Sequence, residues 1–442
     1  MAGIFKAYDI RGIYGETLTP EIVYKIGRAF VTFLKCQKVV VGRDIRPHSE
    51  PIFNALVDAL TLHGVDVLDI GLCSTPLNYF ATVTSDADAG IMITASHNPP
   101  QWNGLKLSRK GAIPVGSDSG LQDIERIFMN NSFAPLASRR GKIETFDPLP
   151  SYTAHIAKSC RITRPVRIAV DMANAMGIVE RKALPPAINV VAMFDEFDGT
   201  FPNHEANPIK PETLRALQEK VRSDSFDFGV AFDGDADRIG IVDEKGTIVR
   251  PDAITALIAM SLLKEEKGAT ILYDLRSSRA VREIVEESGG HAIKCRVGHA
   301  FIKKQMRETN AIFAGELSGH YYFRENFFTE STALAIVCLA NIVSSSDKPL
   351  SELVKNITRY FTSGEINLTI KNPSPVFDAL KNKYADGQLS FLDGMTVEYS
   401  DWWFNLRASN TEPLIRLNVE ANTNALLQKK VDELLGIIRQ FS

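Results

Sequence analysis

The chain has 442 residues, 45% of them hydrophobic and 23% charged, with 50 Lys+Arg against 53 Asp+Glu and a formal net charge of −3. At about 150 residues per domain, this length predicts about three domains. The composition excludes a collagen-like or low-complexity chain and an acidic disordered tail, and it offers no general basic face for nucleic acid. Five cysteines (Cys36, Cys73, Cys160, Cys295 and Cys338) are scattered and never in C-x-x-C spacing, which argues against a disulfide framework and a zinc site. The opening MAGIFKAYDIRG has no apolar core of a signal peptide. The longest apolar runs, 253–263 and 333–343, fall short of the roughly 20 residues that cross a bilayer. A soluble, cytoplasmic, multi-domain protein is expected, without a nucleic-acid or membrane partner.

In chain order, three segments repeat one unit. Short β-branched or apolar strands at 39–41, 168–170 and 271–273 each run into a polar turn and an expected amphipathic helix: GRDIRPHS, DMANAMG and DLRSSRAV. This is the βαβ pattern of parallel sheets. The last eighty or so residues differ. A strand at 365–370, a helix at 376–384, strands at 403–406 and 414–419, and a closing helix at 425–438 predict a small α+β domain with a mostly antiparallel sheet. Polar stretches near 146–150, 243–246 and 358–363 divide the chain into 1–147, 148–246, 247–360 and 361–442. The expected fold is thus three related mixed or parallel-sheet α/β domains plus a small C-terminal α+β domain, around a central cleft.

Four loops carry chemistry. In Thr94-Ala95-Ser96-His97-Asn98-Pro99-Pro100 an apolar strand ends in small and polar residues, and the proline pair prevents its continuation. A hydroxyl is held there beside an imidazole, as a nucleophile or phosphoryl carrier requires, although an ordinary Ser/Asn-rich turn would read the same. In Asp233-Gly234-Asp235-Ala236-Asp237-Arg238, alternate carboxylates lie between two buried strands. At about 5 Å and a dielectric near 20, each like-charge pair costs roughly 3 kcal/mol, so a cation among them is expected. All-oxygen ligands suit Mg²⁺ or Ca²⁺, and the following strand leaves no room for a continuing EF-hand loop. Gly315-Glu316-Leu317-Ser318-Gly319-His320 offers a carboxylate, a hydroxyl and an imidazole that match sugar hydroxyls, or a plain glycine-rich surface loop. Arg407-Ala408-Ser409-Asn410-Thr411-Glu412-Pro413, followed by Arg416, has the donors to enclose a phosphate dianion; a solvated turn is the alternative.

In this order the four loops resemble those of the α-D-phosphohexomutases, and among them the bacterial and archaeal phosphomannomutase/phosphoglucomutase group. The resemblance runs nearly end to end. It includes Ala7-Tyr8-Asp9-Ile10-Arg11-Gly12, Val41-Gly42-Arg43-Asp44, Asp198-Gly199-Thr200-Phe201-Pro202-Asn203-His204 and Val297-Gly298-His299. It implies that Ser96 carries a phosphoryl group, and that Asp233, Asp235 and Asp237 hold Mg²⁺ with a phosphoserine oxygen of Ser96 as a further ligand. Arg238, His97 and Lys106 would steady that phosphate. Glu316 and Ser318 match the sugar-hydroxyl loop. Arg407, Ser409, Asn410 and Thr411 match the distal phosphate site, with Arg416 also placed for phosphate. Tyr8, Arg11, Arg276 and His299 would line the cleft.

The implied reaction is a reversible shift between hexose 1- and 6-phosphates, through phospho-Ser96 and a hexose 1,6-bisphosphate that also serves as activator. Phosphomannomutase is the expected activity and phosphoglucomutase, or both, the alternative. A phosphatase or a non-catalytic phosphosugar-binding protein would also fit parts of the pattern. Lys106 and His320 are the candidate general acid/base groups, and for Lys106 the base role needs a lowered pKa. The expected partner is a phosphorylated hexose, with the chain as monomer or homodimer. Two positions depart from the family pattern. An Asp-Asp-Gly common there is replaced near Phe328-Thr329-Glu330-Ser331-Thr332, and Leu317 stands where Met is common, an apolar choice that favours neutral hexoses.

Overall fold

The computed structural model describes residues 3–370, 372–408 and 414–441, which form four sheets. The three apolar segments become strands Lys38–Arg43, Val166–Asp171 and Thr270–Asp274. Each lies between two parallel neighbours in its own sheet. Strands covered on both faces read as continuous apolar runs, which is why these stand out in the sequence.

One parallel neighbour in each sheet then reverses into an antiparallel strand. Ala89–Ile93 returns as Trp102–Arg109, Phe228–Phe232 as Ile239–Asp243, and Phe313–Gly315 as Tyr321–Phe323. These reversals carry Ser96, the Asp233–Asp237 turn and Glu316. Three loops with unrelated sequences thus occupy one position in three copies of the same plan.

Two expectations are corrected. Ser49–Leu62 and Arg279–Glu287 are helices as expected, but the segment after 168–170 forms only Gly177–Glu180 and a 3₁₀ turn, Arg181–Ala183. Pro185 and Pro186 lack the N–H groups to continue it. In the C-terminal domain the sheet has five antiparallel strands, because Gln388–Ser390 and Met395–Glu398 join Phe361–Thr369, Trp402–Ala408 and Leu414–Ala421. The two added strands are too short to show alternation. The polar stretch at 243–246 is a hairpin turn, and Ile248–Val249 beyond it still pairs with the second sheet.

One apolar cluster runs through the first three domains: Leu77 and Phe80, from helix Thr75–Thr84, pack with Tyr152, Phe232 and Leu334. The C-terminal domain has a separate core around Leu380, Phe404 and Leu434. No described helix is long and apolar enough to cross a membrane.

Candidate active site

The strand reversals and the last hairpin face one cleft of about 1200 Å³. Tyr8, Arg11, His97 and Lys106 line it from the first domain, and Asp237 and Arg238 from the second. Arg276, His299, Glu316, Ser318 and His320 come from the third domain, and Arg407 and Arg416 from the fourth. Ser409, Asn410 and Thr411 lie outside the described residues.

Ser96 is fully buried and sits at φ 51°, a left-handed conformation that a side-chain-bearing residue keeps only when its surroundings hold it. Two groups hold it. Thr94 Oγ1 accepts from the Ser96 N–H at 2.8 Å, and Arg46 donates to the carbonyls of Ser96 (2.7 Å), Asn98 (2.6 Å), Pro99 (2.7 Å) and Trp102 (3.0 Å). Arg46 is itself buried and paired with Asp44. Sequence reading missed Arg46; the available signal was a second arginine in the GRDIR turn after a buried strand. Arg11 braces the same loop by donating to Asn98 Oδ1 at 2.5 Å and to Asp9.

The Ser96 hydroxyl donates to Asp233 Oδ2 at 2.8 Å, and His97 Nδ1 lies 3.2 Å from Ser96 Oγ. Burial, with Arg238 and Arg11 nearby, pushes the His97 pKa well below its usual value, so the ring is neutral. Gly234 permits the two loops to meet, since a Cβ there would lie 2.5 Å from the Ser96 carbonyl oxygen.

Asp233, Asp235 and Asp237 each bring a carboxylate oxygen within 4.8 Å of the others, all buried. Lys106 Nζ enters this cluster at 2.6 Å from Asp235 Oδ2 and 2.5 Å from Asp237 Oδ2. Burial would lower the Lys106 pKa, but the two carboxylates outweigh it and raise it, so the environment favours the ammonium and not a base. Burial, then Asp235 and Asp237, raise the pKa of Asp233. Asp235 Oδ1 is buried with no hydrogen-bond partner. Three buried carboxylates with an unpaired oxygen fit a divalent cation bound by oxygen ligands.

His320 lies between two acids, with Asp237 Oδ1 3.3 Å from Nε2 and Glu316 Oε2 3.2 Å from Nδ1. Burial would lower its pKa, yet Asp237 and Glu316 bring it up to about 9. Nε2 also accepts from Arg238 Nε at 3.2 Å, so a cationic donor and Asp237 share that nitrogen. Ser318 Oγ is 2.7 Å from Nδ1. Glu316 also accepts from Tyr322 at 3.0 Å and from the Gly298 N–H at 3.1 Å; burial would raise its pKa, but His320 and Arg276 hold it well below the carboxylate range. The Tyr8 hydroxyl donates to the Val297 carbonyl at 2.9 Å, tying the first domain to the loop before His299.

At the fourth domain, Arg276, Arg407 and Arg416 gather around Glu365, at 3.2, 4.0 and 3.4 Å. Asp274 fixes Arg276 from behind, with Nε donating to Oδ1 at 3.0 Å. Burial and the neighbouring Arg276 lower the Arg407 pKa. Asp393 lies 4.0 Å from Arg407 as well, and the Arg276 and Arg407 donors that Glu365, Asp274 and Asp393 leave over have the geometry to bind an anion. Glu365 was not singled out in the sequence, because nothing in an alternating strand marks one acid as central.

Comparisons with known proteins give the family. Residues 2–135, 150–246 and 250–361 match the family descriptions "Phosphoglucomutase/phosphomannomutase, alpha/beta/alpha domain I", "domain II" and "domain III", and residues 365–437 match its "C-terminal domain". The chain is 41% identical to the phosphomannomutase of Methanocaldococcus jannaschii, covering 98% of this chain and 97% of that one. It is 35% identical to the phosphoglucomutase of Neisseria gonorrhoeae, covering 98% and 96%. A crystal structure of a phosphoglucomutase/phosphomannomutase family protein from Burkholderia thailandensis superposes with a TM-score of 0.91 at 33% identity, covering 99% and 97%. The chain therefore belongs to the phosphoglucomutase/phosphomannomutase family of α-D-phosphohexomutases.

Proposed function

We propose that the chain is a phosphohexomutase that interconverts mannose 1-phosphate and mannose 6-phosphate, with Ser96 as phosphoryl carrier and Mg²⁺ at the Asp233–Asp235–Asp237 loop. The observation that carries this reading is the contact of the buried Ser96 hydroxyl with Asp233, directly behind His97 and Asp237 of the cleft that also holds the three-arginine cluster. Glucose phosphates are the second reading, favoured by phosphoglucomutases among the relatives.

Phosphoryl transfer depends on in-line positioning and charge neutralisation more than on covalent assistance. A divalent metal held by Asp233, Asp235 and Asp237 would supply charge neutralisation for the transferring phosphoryl group. Arg238 adds a guanidinium beside the same loop. In the forward step the free sugar hydroxyl attacks the phosphorus of phospho-Ser96, the P–Oγ bond breaks, and a hexose 1,6-bisphosphate forms. The attacking hydroxyl loses a proton and the departing Ser96 Oγ gains one. The Lys106 ammonium, at Asp235, gives the proton to Oγ, and His320, at Asp237, takes the hydroxyl's proton in its neutral form; the second half-reaction returns both protons. After the bisphosphate has turned over in the cleft, Ser96 Oγ takes the other phosphate. Arg276, Arg407 and Arg416 hold whichever phosphate is not reacting, and Glu316 and Ser318 accept the sugar hydroxyls. A phosphatase would have no use for this second anion site.

Purified protein is incubated with Mg²⁺, a trace of hexose 1,6-bisphosphate, and mannose or glucose 1-phosphate. Hexose 6-phosphate is the expected product; release of inorganic phosphate in its place refutes the mutase reading. Ser96→Ala is expected to abolish turnover, and full activity in that variant refutes the phosphoserine.

A further inference from the structure

Three domains meet at one buried carboxylate that does not line the cleft, Glu180, which is 0% exposed. Ser74 of the first domain donates to Glu180 Oε1, and Tyr152 of the second donates to Oε2 at 3.1 Å. Thr332 Oγ1 of the third lies 3.4 Å from Oε2. Ser74 and Ser331 are also the N-caps of helices Thr75–Thr84 and Thr332–Ser344, accepting from Leu77 N–H at 3.1 Å and Leu334 N–H at 3.2 Å. Ser331 Oγ is 3.3 Å from the Tyr152 hydroxyl. Glu180 is therefore joined directly or through one hydroxyl to the first turns of two helices from different domains.

Those two turns hold the middle of the metal loop. Thr75 donates through its hydroxyl to Asp235 Oδ2 at 2.6 Å and through its N–H to the Asp235 carbonyl at 2.9 Å. Thr332 donates to the Ala236 carbonyl at 2.8 Å. Ala236 sits at φ 58°, a left-handed conformation that needs such restraint. The segment 328–332, which departs from the family pattern in sequence, supplies Ser331 and Thr332 to this junction.

We propose that Glu180 is a positioning residue for the metal loop: it locks the N-terminal turns of two helices so that Thr75 fixes the backbone and carboxylate of Asp235 and Thr332 fixes the carbonyl of Ala236. This rests on the reading of Asp233, Asp235 and Asp237 as metal ligands. Groups hydrogen-bonded to a ligand, as Thr75 is to Asp235, typically change metal affinity by about 10- to 100-fold when lost, and Glu180 acts through that group. A residue that merely joined domains would change thermal stability and leave metal affinity alone.

The test uses the full-length protein and Mn²⁺ as the probe, with binding read by electron paramagnetic resonance. Glu180→Ala is expected to weaken Mn²⁺ binding by about 10-fold or more and to lower kcat while the KM for hexose phosphate stays near wild type. Glu180→Gln, whose amide oxygen still accepts from Ser74, is expected to restore most of the affinity. Thr332→Val, which leaves Glu180 in place but removes the bond to Ala236, is expected to weaken Mn²⁺ several-fold and serves where Glu180→Ala fails to fold. Wild-type Mn²⁺ affinity in Glu180→Ala or in Thr332→Val, whatever the melting temperature, overturns the proposal. Absence of Mn²⁺ binding by the wild type overturns the metal-loop reading and this one with it; wild-type binding that the variants leave unchanged overturns this one alone.

Discussion

Lys106 provides the sharpest energetic test of the metal loop. Its ammonium lies 2.6 Å from Asp235 and 2.5 Å from Asp237, with 6% of its side chain exposed. At an effective dielectric near 20, each contact is worth about 6 kcal/mol of Coulomb energy. Much of that is offset by desolvation, and removing one partner of such a buried pair typically costs about 3–5 kcal/mol. Lys106→Met retains the side chain's bulk and removes the charge, leaving the carboxylates to repel one another. The first three domains share one apolar cluster, and for a unit of about 360 residues, at about 2.1 cal/mol/K per residue, this lowers the melting temperature by roughly 4–7 °C in EDTA. A divalent cation in the cluster replaces the missing charge, so in saturating Mg²⁺ the loss shrinks to about a degree. Calorimetric melting of wild type and variant, each in EDTA and in Mg²⁺, measures both effects. An equal drop under the two conditions, or none in EDTA, refutes the account of Lys106 as a neutralising cation in a metal site.

Three further outcomes are expected. Burial raises the Glu180 pKa to about 7 from an ordinary 4.5, so the folded chain binds this proton more tightly than the unfolded chain. Its contribution is fully present below pH 4.5 and is lost as pH rises toward 7, by about 3 kcal/mol in all; Glu180→Gln should flatten that part of the stability profile, and an unchanged slope in denaturant titrations at pH 5 and 7.5 refutes the assignment. Arg407→Ala removes one charge-assisted phosphate contact and should raise the KM for hexose phosphate about 10- to 100-fold in steady-state kinetics, with wild-type KM as the refuting result. Gly234→Ala places a Cβ 2.5 Å from the Ser96 carbonyl. The two loops must then part, and phosphoryl incorporation at Ser96 from labelled bisphosphate should fall sharply while circular dichroism stays unchanged; wild-type labelling would show that the loops need not touch.

How much was legible from the residues depended on where the signal lay. Ser96, the Asp233–Asp237 loop and the Glu316–His320 loop stand out because small and charged groups interrupt buried strands, a local pattern. Arg46 and Glu365 were passed over, since each acts through partners distant in sequence: Arg46 on the carbonyls of 96, 98, 99 and 102, and Glu365 on Arg276 and Arg416. Glu180 lay unnoticed in a segment expected to be an ordinary amphipathic helix. The short strands Gln388–Ser390 and Met395–Glu398 escaped for a different reason, having too few residues to show a period.

Length and composition alone predicted about three domains, and the strand pattern raised the count to four. Near-neutral charge offered no general basic face for nucleic acid, and the ordered loops pointed to phosphosugar chemistry. These properties depend on residue type and local spacing, which the chain carries before it folds. Only the tertiary structure decided which charges meet. A net charge of −3 contains three buried aspartates, two of them paired with Lys106, an arginine cluster around Glu365, and His320 between two acids. The physical reason is that electrostatic energy falls with distance and rises with burial, and both are set when strands remote in sequence pack side by side.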